Sequence, residues 1–159
     1  MNAEPPRPRP SHLIAPGELD AWLADSVVKT VTYHRTSALA AQSILRSGVR
    51  IVWPRGAAFG LGFYTATAVD EFYGDTTLTV AMRLLSPLVG PMADVEELVD
   101  RLHRRVRPTD RGLTAEGAVA VRVELLRLGY DGLVVKDAGG DGIDYVIALE
   151  ADAVKVVVP

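Results

Sequence analysis

Three polar side chains interrupt apolar, strand-like segments of the chain: His34, Tyr64 and Asp144. His34 closes the run "VVKTVTYH" (Val27 to His34), and Arg35 and Thr36 follow before a helical stretch. A side chain at such a strand-to-helix junction faces a crevice in which backbone N–H groups are also on offer. Tyr64 lies in "GFYTA", just after Gly60-Leu61-Gly62. Glycines there let the backbone approach a ligand closely, and the ring offers a flat stacking surface. Asp144 stands in "GIDYVIAL", an otherwise apolar run, although aspartate is disfavoured in strands. It shares a strand face with Val146 and Ala148. A carboxylate there is paired, exposed at the strand end, or functional. Each residue alone also has an ordinary reading: a histidine satisfied by backbone, a core tyrosine, an aspartate in a glycine-rich hairpin.

The pair Gly60 and Gly62 looks like the opening of a dinucleotide-binding turn, but Thr65 stands where the third glycine should fall. A phosphate-cradling turn is therefore not expected. Two aromatic pairs follow the glycines, Phe63-Tyr64 and Phe72-Tyr73.

These residues need elements to position them. A short helix is expected from Pro16 to about Ala24, with Leu19, Trp22 and Leu23 on one face. Val27 to His34 is β-branched and predicts a strand. "TSALAAQSILRSG" predicts a helix capped by Thr36 or Ser37 and ended by Gly48, with Leu39, Ile44 and Leu45 on its buried side. Val49 to Trp53 predicts a short strand, then a loop, then the "GFYTA" strand and a short helix near Val69 to Tyr73. Thr76 to Leu85 predicts a long strand, and Pro87 and Pro91 mark a turn region. "ADVEELVDRLHRRV" and "TAEGAVAVRVELLRLG" are amphipathic helices, the second ending at Gly129. Three strand-like segments close the chain: "YDGLVV", "IDYVIAL" and "AVKVVV", with "KDAGGDG" as the hairpin between the first two. Strands at both ends and helices between them give an α+β class.

The bulk numbers bound the function. At 159 residues and 48% hydrophobic content, one packed domain over residues 12–159 is expected, preceded by a disordered Pro/Arg tail over residues 1–11. There is no cysteine, which removes disulfides, thiolate metal sites and a cysteine nucleophile. His12, His34 and His103 show no paired ligand spacing, so no metal is expected. A net charge of -3 is not the footprint of a chain that coats nucleic acid. One local exception is the cluster Arg101, Arg104, Arg105, Arg107 and Arg111, a solvated face or a docking patch for an acidic target. No apolar run has membrane-spanning length, and the proline-rich start is not a signal peptide, so a cytoplasmic location without membrane contact is expected.

Taken together, "YHRTS", "AAQSILRSGVRI", "AFGLGFYTATAVDEFYG" and "IDYVIAL" resemble, in that order, the ADP-ribosyltransferase superfamily, on the branch of diphtheria toxin and the poly(ADP-ribose) polymerases. "GYDGLVV" also looks like small bacterial and phage members. The resemblance covers roughly Val27 to Val158. It implies a split β-sheet core with peripheral helices and a cleft that binds NAD+ as substrate, without a metal. On that resemblance His34 would bond the adenosine ribose and Thr36 would contact a ribose. The backbone of Arg35 would pair with the nicotinamide carboxamide. Tyr64 would stack on nicotinamide, Phe72 or Tyr73 would close the other side of the ring, and Gly60, Gly62 and Phe63 would border it. Asp144 would be the catalytic acid in a His-Tyr-Asp variant, with Asp141 and Glu150 as the neighbouring acids that a shifted register would bring to its place. Arg35 stands where the family usually has glycine, and Asp144 where it usually has glutamate, which argues against chain elongation. The implied activity is transfer of one ADP-ribose to a protein, nucleic acid or small-molecule acceptor, with NAD hydrolysis or a catalytically dead binding module as rivals. A toxin-like role would bring an antitoxin or immunity protein as a further partner.

Overall fold

A computed structural model of the protein describes residues 4–51, 62–69 and 74–159. The class is α+β, built on one mixed sheet. In chain order the elements are β1 (Leu13–Ile14), α1 (Leu19–Trp22), β2 (Thr32–Thr36), α2 (Ala38–Ser47), β3 (Phe63–Ala66), β4 (Thr76–Met82), β5 (Leu88–Pro91), α3 (Met92–Val106), α4 (Ala115–Arg127), β6 (Gly132–Gly140), β7 (Ile143–Ala148) and β8 (Val154–Val157). The eight strands lie in the order β1-β8-β4-β2-β3-β7-β6-β5.

Strand alternation gives the sheet two buried faces. On one, Leu78, Val80 and Met82 of β4 join Phe63, Val134, Val146, Ala148 and Ala41 of α2. On the other, β6 and β7 present Leu133, Val135 and Ile147 to Val95, Val99, Leu102, Val121 and Leu125 of α3 and α4. A smaller cluster of Ile14, Leu23 and Ala81 covers the β4 side of that second face. The period-3.6 pattern of α3 and α4 thus finds its partner in the period-2 pattern of β6 and β7.

Several expectations are corrected here. The strand read from Val27 to His34 begins only at Thr32. Ser26 explains the loss: its hydroxyl donates to the Met82 carbonyl (3.0 Å) and accepts from Leu84 N–H (3.0 Å) and Val28 N–H (3.2 Å). Local side-chain bonds of this kind compete with a ladder. His34 sits in the middle of β2 rather than at its end, because the strand runs on through Arg35 to Thr36. On α2 the cap is Ser37, whose side chain accepts from Ala40 N–H. The buried position is Ala41, whereas Leu39 is 80% exposed and Leu45 38%. Residues 49–51 form no strand, and Val52 and Trp53 lie outside the described residues. The predicted helix near Val69 to Tyr73 also falls largely outside them, Val69 itself being non-helical.

The region of Pro87 and Pro91 is not a plain turn but contains β5, which pairs in parallel with β6. Proline is tolerated there because β5 is the sheet edge and Pro91 its last residue. The segment "KDAGGDG" mostly belongs to β6, which runs on to Gly140 with an irregularity in register between Val135 and Gly140. β1 is an addition no periodicity announced, being two residues long and parallel to β8. Residues 4–10 are exposed and without regular secondary structure.

Asp131, in the "YDG" sequence, is explained by the fold. Its carboxylate accepts from Leu85 N–H (2.6 Å) and Ser86 N–H (3.0 Å), closing the turn between β4 and β5. Asp131→Ala is expected to cost about 1–2 kcal/mol, because two backbone donors lose their acceptor. Urea unfolding of the variant checks this, and an unchanged midpoint would show that water replaces the carboxylate.

Candidate functional site

The site grows out of sparse pairing in the sheet. β2 pairs with β4 at every position from Thr32↔Val80 to Thr36↔Thr76. Against β3 it pairs only at Tyr33↔Ala66. No further β2–β3 pair follows among the described residues. β3 is meanwhile fully paired with β7, from Phe63↔Ala148 to Ala66↔Tyr145. β2, β3 and β7 are neighbours in the one sheet and carry His34, Tyr64 and Asp144 on three successive strands.

The half-buried His34 ring bridges the β2–β3 seam. Its Nδ1–H donates to the Tyr64 carbonyl oxygen at 2.6 Å, a side chain standing in for a missing ladder bond. The carbonyl can only accept, so the proton is on Nδ1 and Nε2 is left for another partner. The imidazole also packs on the Phe63 ring, centroids 4.2 Å apart. Burial pulls His34 below the ordinary histidine range, and the bond to the Tyr64 carbonyl pushes it back by less. The unfolded chain takes up this proton near pH 6.5, while the folded chain resists it to lower pH. The contribution of His34 to stability is thus full above about pH 6.5 and declines as the pH falls below it. Between pH 7.5 and 5.5 the urea midpoint of the wild type is expected to fall further than that of His34→Gln, and equal falls would refute the assignment.

The faces of the seam differ. His34 lies opposite Leu78, and Phe63 opposite Ala148, so both belong to the face that α2 covers. Thr36 shares that face by alternation. The Tyr64 ring packs against the α3–α4 cluster on the other face. Tyr64 thus brings its carbonyl to His34 while its ring turns to the opposite side. Arg35 is also on this second face, with its guanidinium turned toward β4: Nη1 donates to Thr77 Oγ1 (2.9 Å) and Nη2 to the Gly74 carbonyl (3.0 Å). Gly74 presses against the end of β2, since a Cβ there would lie 2.3 Å from the Thr36 carbonyl oxygen.

Asp144 is the second residue of β7 and faces the same side as Val146 and Ala148. Its Oδ1 accepts from Asp137 N–H (2.9 Å) and its Oδ2 from Lys136 Nζ (3.0 Å). Its backbone is tied to Thr67 twice: Asp144 N–H donates to Thr67 Oγ1 (2.9 Å), and Thr67 N–H to the Asp144 carbonyl (3.0 Å). Burial pushes the Asp144 carboxyl up, but Asp137 N–H and the Lys136 ammonium together outweigh it, and the net direction is down. Asp144 is therefore ionised at neutral pH.

The remaining expected site residues divide. Gly60, Phe72 and Tyr73 lie outside the described residues. Gly62 clears space for β7 rather than for a ligand: a Cβ there would sit 2.1 Å from the Ala148 carbonyl oxygen. Asp141 is at the hairpin tip with φ 51°, and Glu150 follows β7. The arginine cluster is partly absorbed by ion pairs. Arg107 holds Asp110, which also accepts from His103 (3.0 Å), and Arg105 pairs with Glu124. Arg107 and His103 keep the Asp110 carboxyl at about 2. Among the described residues no group of three or more His, Asp or Glu side chains is arranged to hold a metal, and no helix is long and apolar enough to cross a membrane. Lys136, Asp137 and Thr67 are contacts of Asp144 that the sequence did not single out, because a lysine and a threonine beside turns read as ordinary surface.

No known protein family matches the sequence, and no curated protein does. Among solved structures, one described as a crystal structure of an anti-CRISPR protein is similar over 80% of this chain and 94% of its own, at 16% identity and a TM-score of 0.38. A likeness that loose carries no argument about fold or function.

Proposed function

We propose that the protein is an NAD-dependent mono-ADP-ribosyltransferase whose dinucleotide binds at the seam between β2 and β3. The observation that carries the reading is that His34, Tyr64 and Asp144 stand on successive strands, at a β2–β3 seam that the His34 imidazole bridges. The sequence resemblance supplies the identity of the ligand, and the sparse pairing of β2 with β3 supports it. The backbone of Arg35 would then pair with the carboxamide.

The chemistry suits these groups. The bond between the nicotinamide nitrogen and the ribose breaks, its electron pair leaves with neutral nicotinamide, and positive charge builds on the sugar. An ionised Asp144 near that sugar stabilises the charge and accepts a hydrogen bond from a ribose hydroxyl. An acceptor nucleophile attacks the anomeric carbon and gives up its proton. When water is the acceptor the same site is an NAD glycohydrolase.

One specific observation favours a second reading, a binding module without turnover: both Asp144 oxygens already have partners. Incubation with adenine-labelled NAD in a cell lysate separates the three. Label on a macromolecule supports the transferase, ADP-ribose without label transfer the hydrolase, and NAD binding without nicotinamide release the module.

A further inference from the structure

We infer that the irregular stretch of β6 at Lys136 and Asp137 is a clamp that orients the Asp144 carboxylate, with Lys136 as its positioning residue. This inference rests on the function proposed above. Three observations lead to it. First, β6 and β7 are in regular register from Gly132↔Ala148 to Val135↔Tyr145, and the next pair is Gly140↔Ile143. The extra residues of β6 between those pairs form a bulge, and bulges re-aim side chains beside functional sites. Second, Asp137 adopts φ 55°, a left-handed conformation uncommon outside glycine, which aspartate takes more readily than most residues. That conformation turns its N–H onto Asp144 Oδ1, and its own carboxylate is engaged by Gly142 N–H at 2.7 Å. Third, the Lys136 ammonium reaches Asp144 Oδ2 although its side chain is 55% exposed, while Asp144 is only 20% exposed.

The clamp separates two jobs. The Asp137 N–H is backbone and fixes one oxygen permanently. Lys136 is long, flexible and solvated, so it can swing off Oδ2 when a ribose hydroxyl arrives and stay close enough to keep the carboxylate ionised. From the other side Thr67, which follows β3, brings its neutral hydroxyl to the backbone N–H of Asp144. Asp137 and Asp141 are the other charged groups of the hairpin, and the Asp137 carboxylate is turned to Gly142.

The test compares wild type with Lys136→Met and Lys136→Arg. Nicotinamide release from NAD is measured at pH 7, and the Asp144 carboxyl is titrated by NMR. Lys136→Met is expected to lower kcat roughly tenfold with KM changed less than about twofold. It should also raise the pH at which Asp144 titrates. Lys136→Arg should restore most of both. An Asp144 titration identical in wild type and Lys136→Met overturns the clamp whatever the activity. So does an equal loss of kcat in Lys136→Met and Lys136→Arg, which would mark a structural role. A wild type that releases no nicotinamide overturns the proposed function instead, and the titration still decides whether Lys136 controls Asp144.

Discussion

Asp144→Asn is expected to lower the rate of nicotinamide release by about 100-fold or more, with NAD affinity changed by less than about fivefold. Asparagine keeps the shape and an acceptor for Asp137 N–H, so β7 and its hairpin should remain in place. What disappears is the negative charge, and with it the attraction for a sugar that turns cationic as nicotinamide leaves. Ground-state NAD carries no such charge on the ribose, so the loss should fall on kcat rather than on KM. The charge is maintained by neighbours: the Lys136 ammonium and Asp137 N–H outweigh the effect of burial on Asp144. Single-turnover measurements of nicotinamide release check the expectation. A rate within a factor of about three of wild type would remove Asp144 from the catalytic centre and make it a hairpin clasp.

The second large effect is on stability. Gly62→Ala should destabilise the fold by more than about 3 kcal/mol, enough to unfold many domains of this size. The new methyl would lie 2.1 Å from the Ala148 carbonyl oxygen, 2.9 Å from its carbon and 3.1 Å from Ile147 Cγ2. Two of those three atoms are backbone of a fully buried stretch of β7, which cannot move without breaking the pairing of β3 with β7. Relief would require β3 to withdraw, and β3 holds the Tyr64 carbonyl that receives His34. Urea unfolding and the near-ultraviolet signal of the aromatic residues would report the change. A midpoint close to that of wild type would mean that the β3–β7 spacing is softer than its pairing suggests.

Legibility in the sequence followed the range of the forces. Elements fixed by their own periodicity were readable. The two amphipathic helices α3 and α4, the β4 strand and the closing strands β7 and β8 all lie where their patterns put them. Elements fixed by distant partners were not. Val27 to Thr30 has every local mark of a strand, yet Ser26 binds the end of β4 and takes the segment out of the ladder. Leu39 reads as core at helical spacing, but the small Ala41 is what meets the sheet on α2. β5 was hidden by its flanking prolines, whose cost vanishes at a sheet edge.

The candidate site shows the same division. Its three polar residues stand out in the sequence because each interrupts an apolar run. Their placement on three successive strands is a property of topology and could come to the page only through the resemblance. The surroundings of Asp144 were illegible for a different reason. Lys136, Asp137 and Thr67 meet it only through the register of β6 on β7 and the bulge beyond Val135, which local sequence does not fix. Gly62 was legible as a close approach but not as to what approaches, since only the register of β3 on β7 identifies Ala148 as the neighbour.

The account stands most directly on whether NAD is cleaved at the seam between β2 and β3. Proton NMR of the full chain mixed with NAD follows free nicotinamide in real time and needs no knowledge of the acceptor. The account predicts steady release by the wild type, with water or added lysate as acceptor, and its near-complete loss in Asp144→Asn. No release, together with no change in the His34 ring signals as NAD is added, would contradict it.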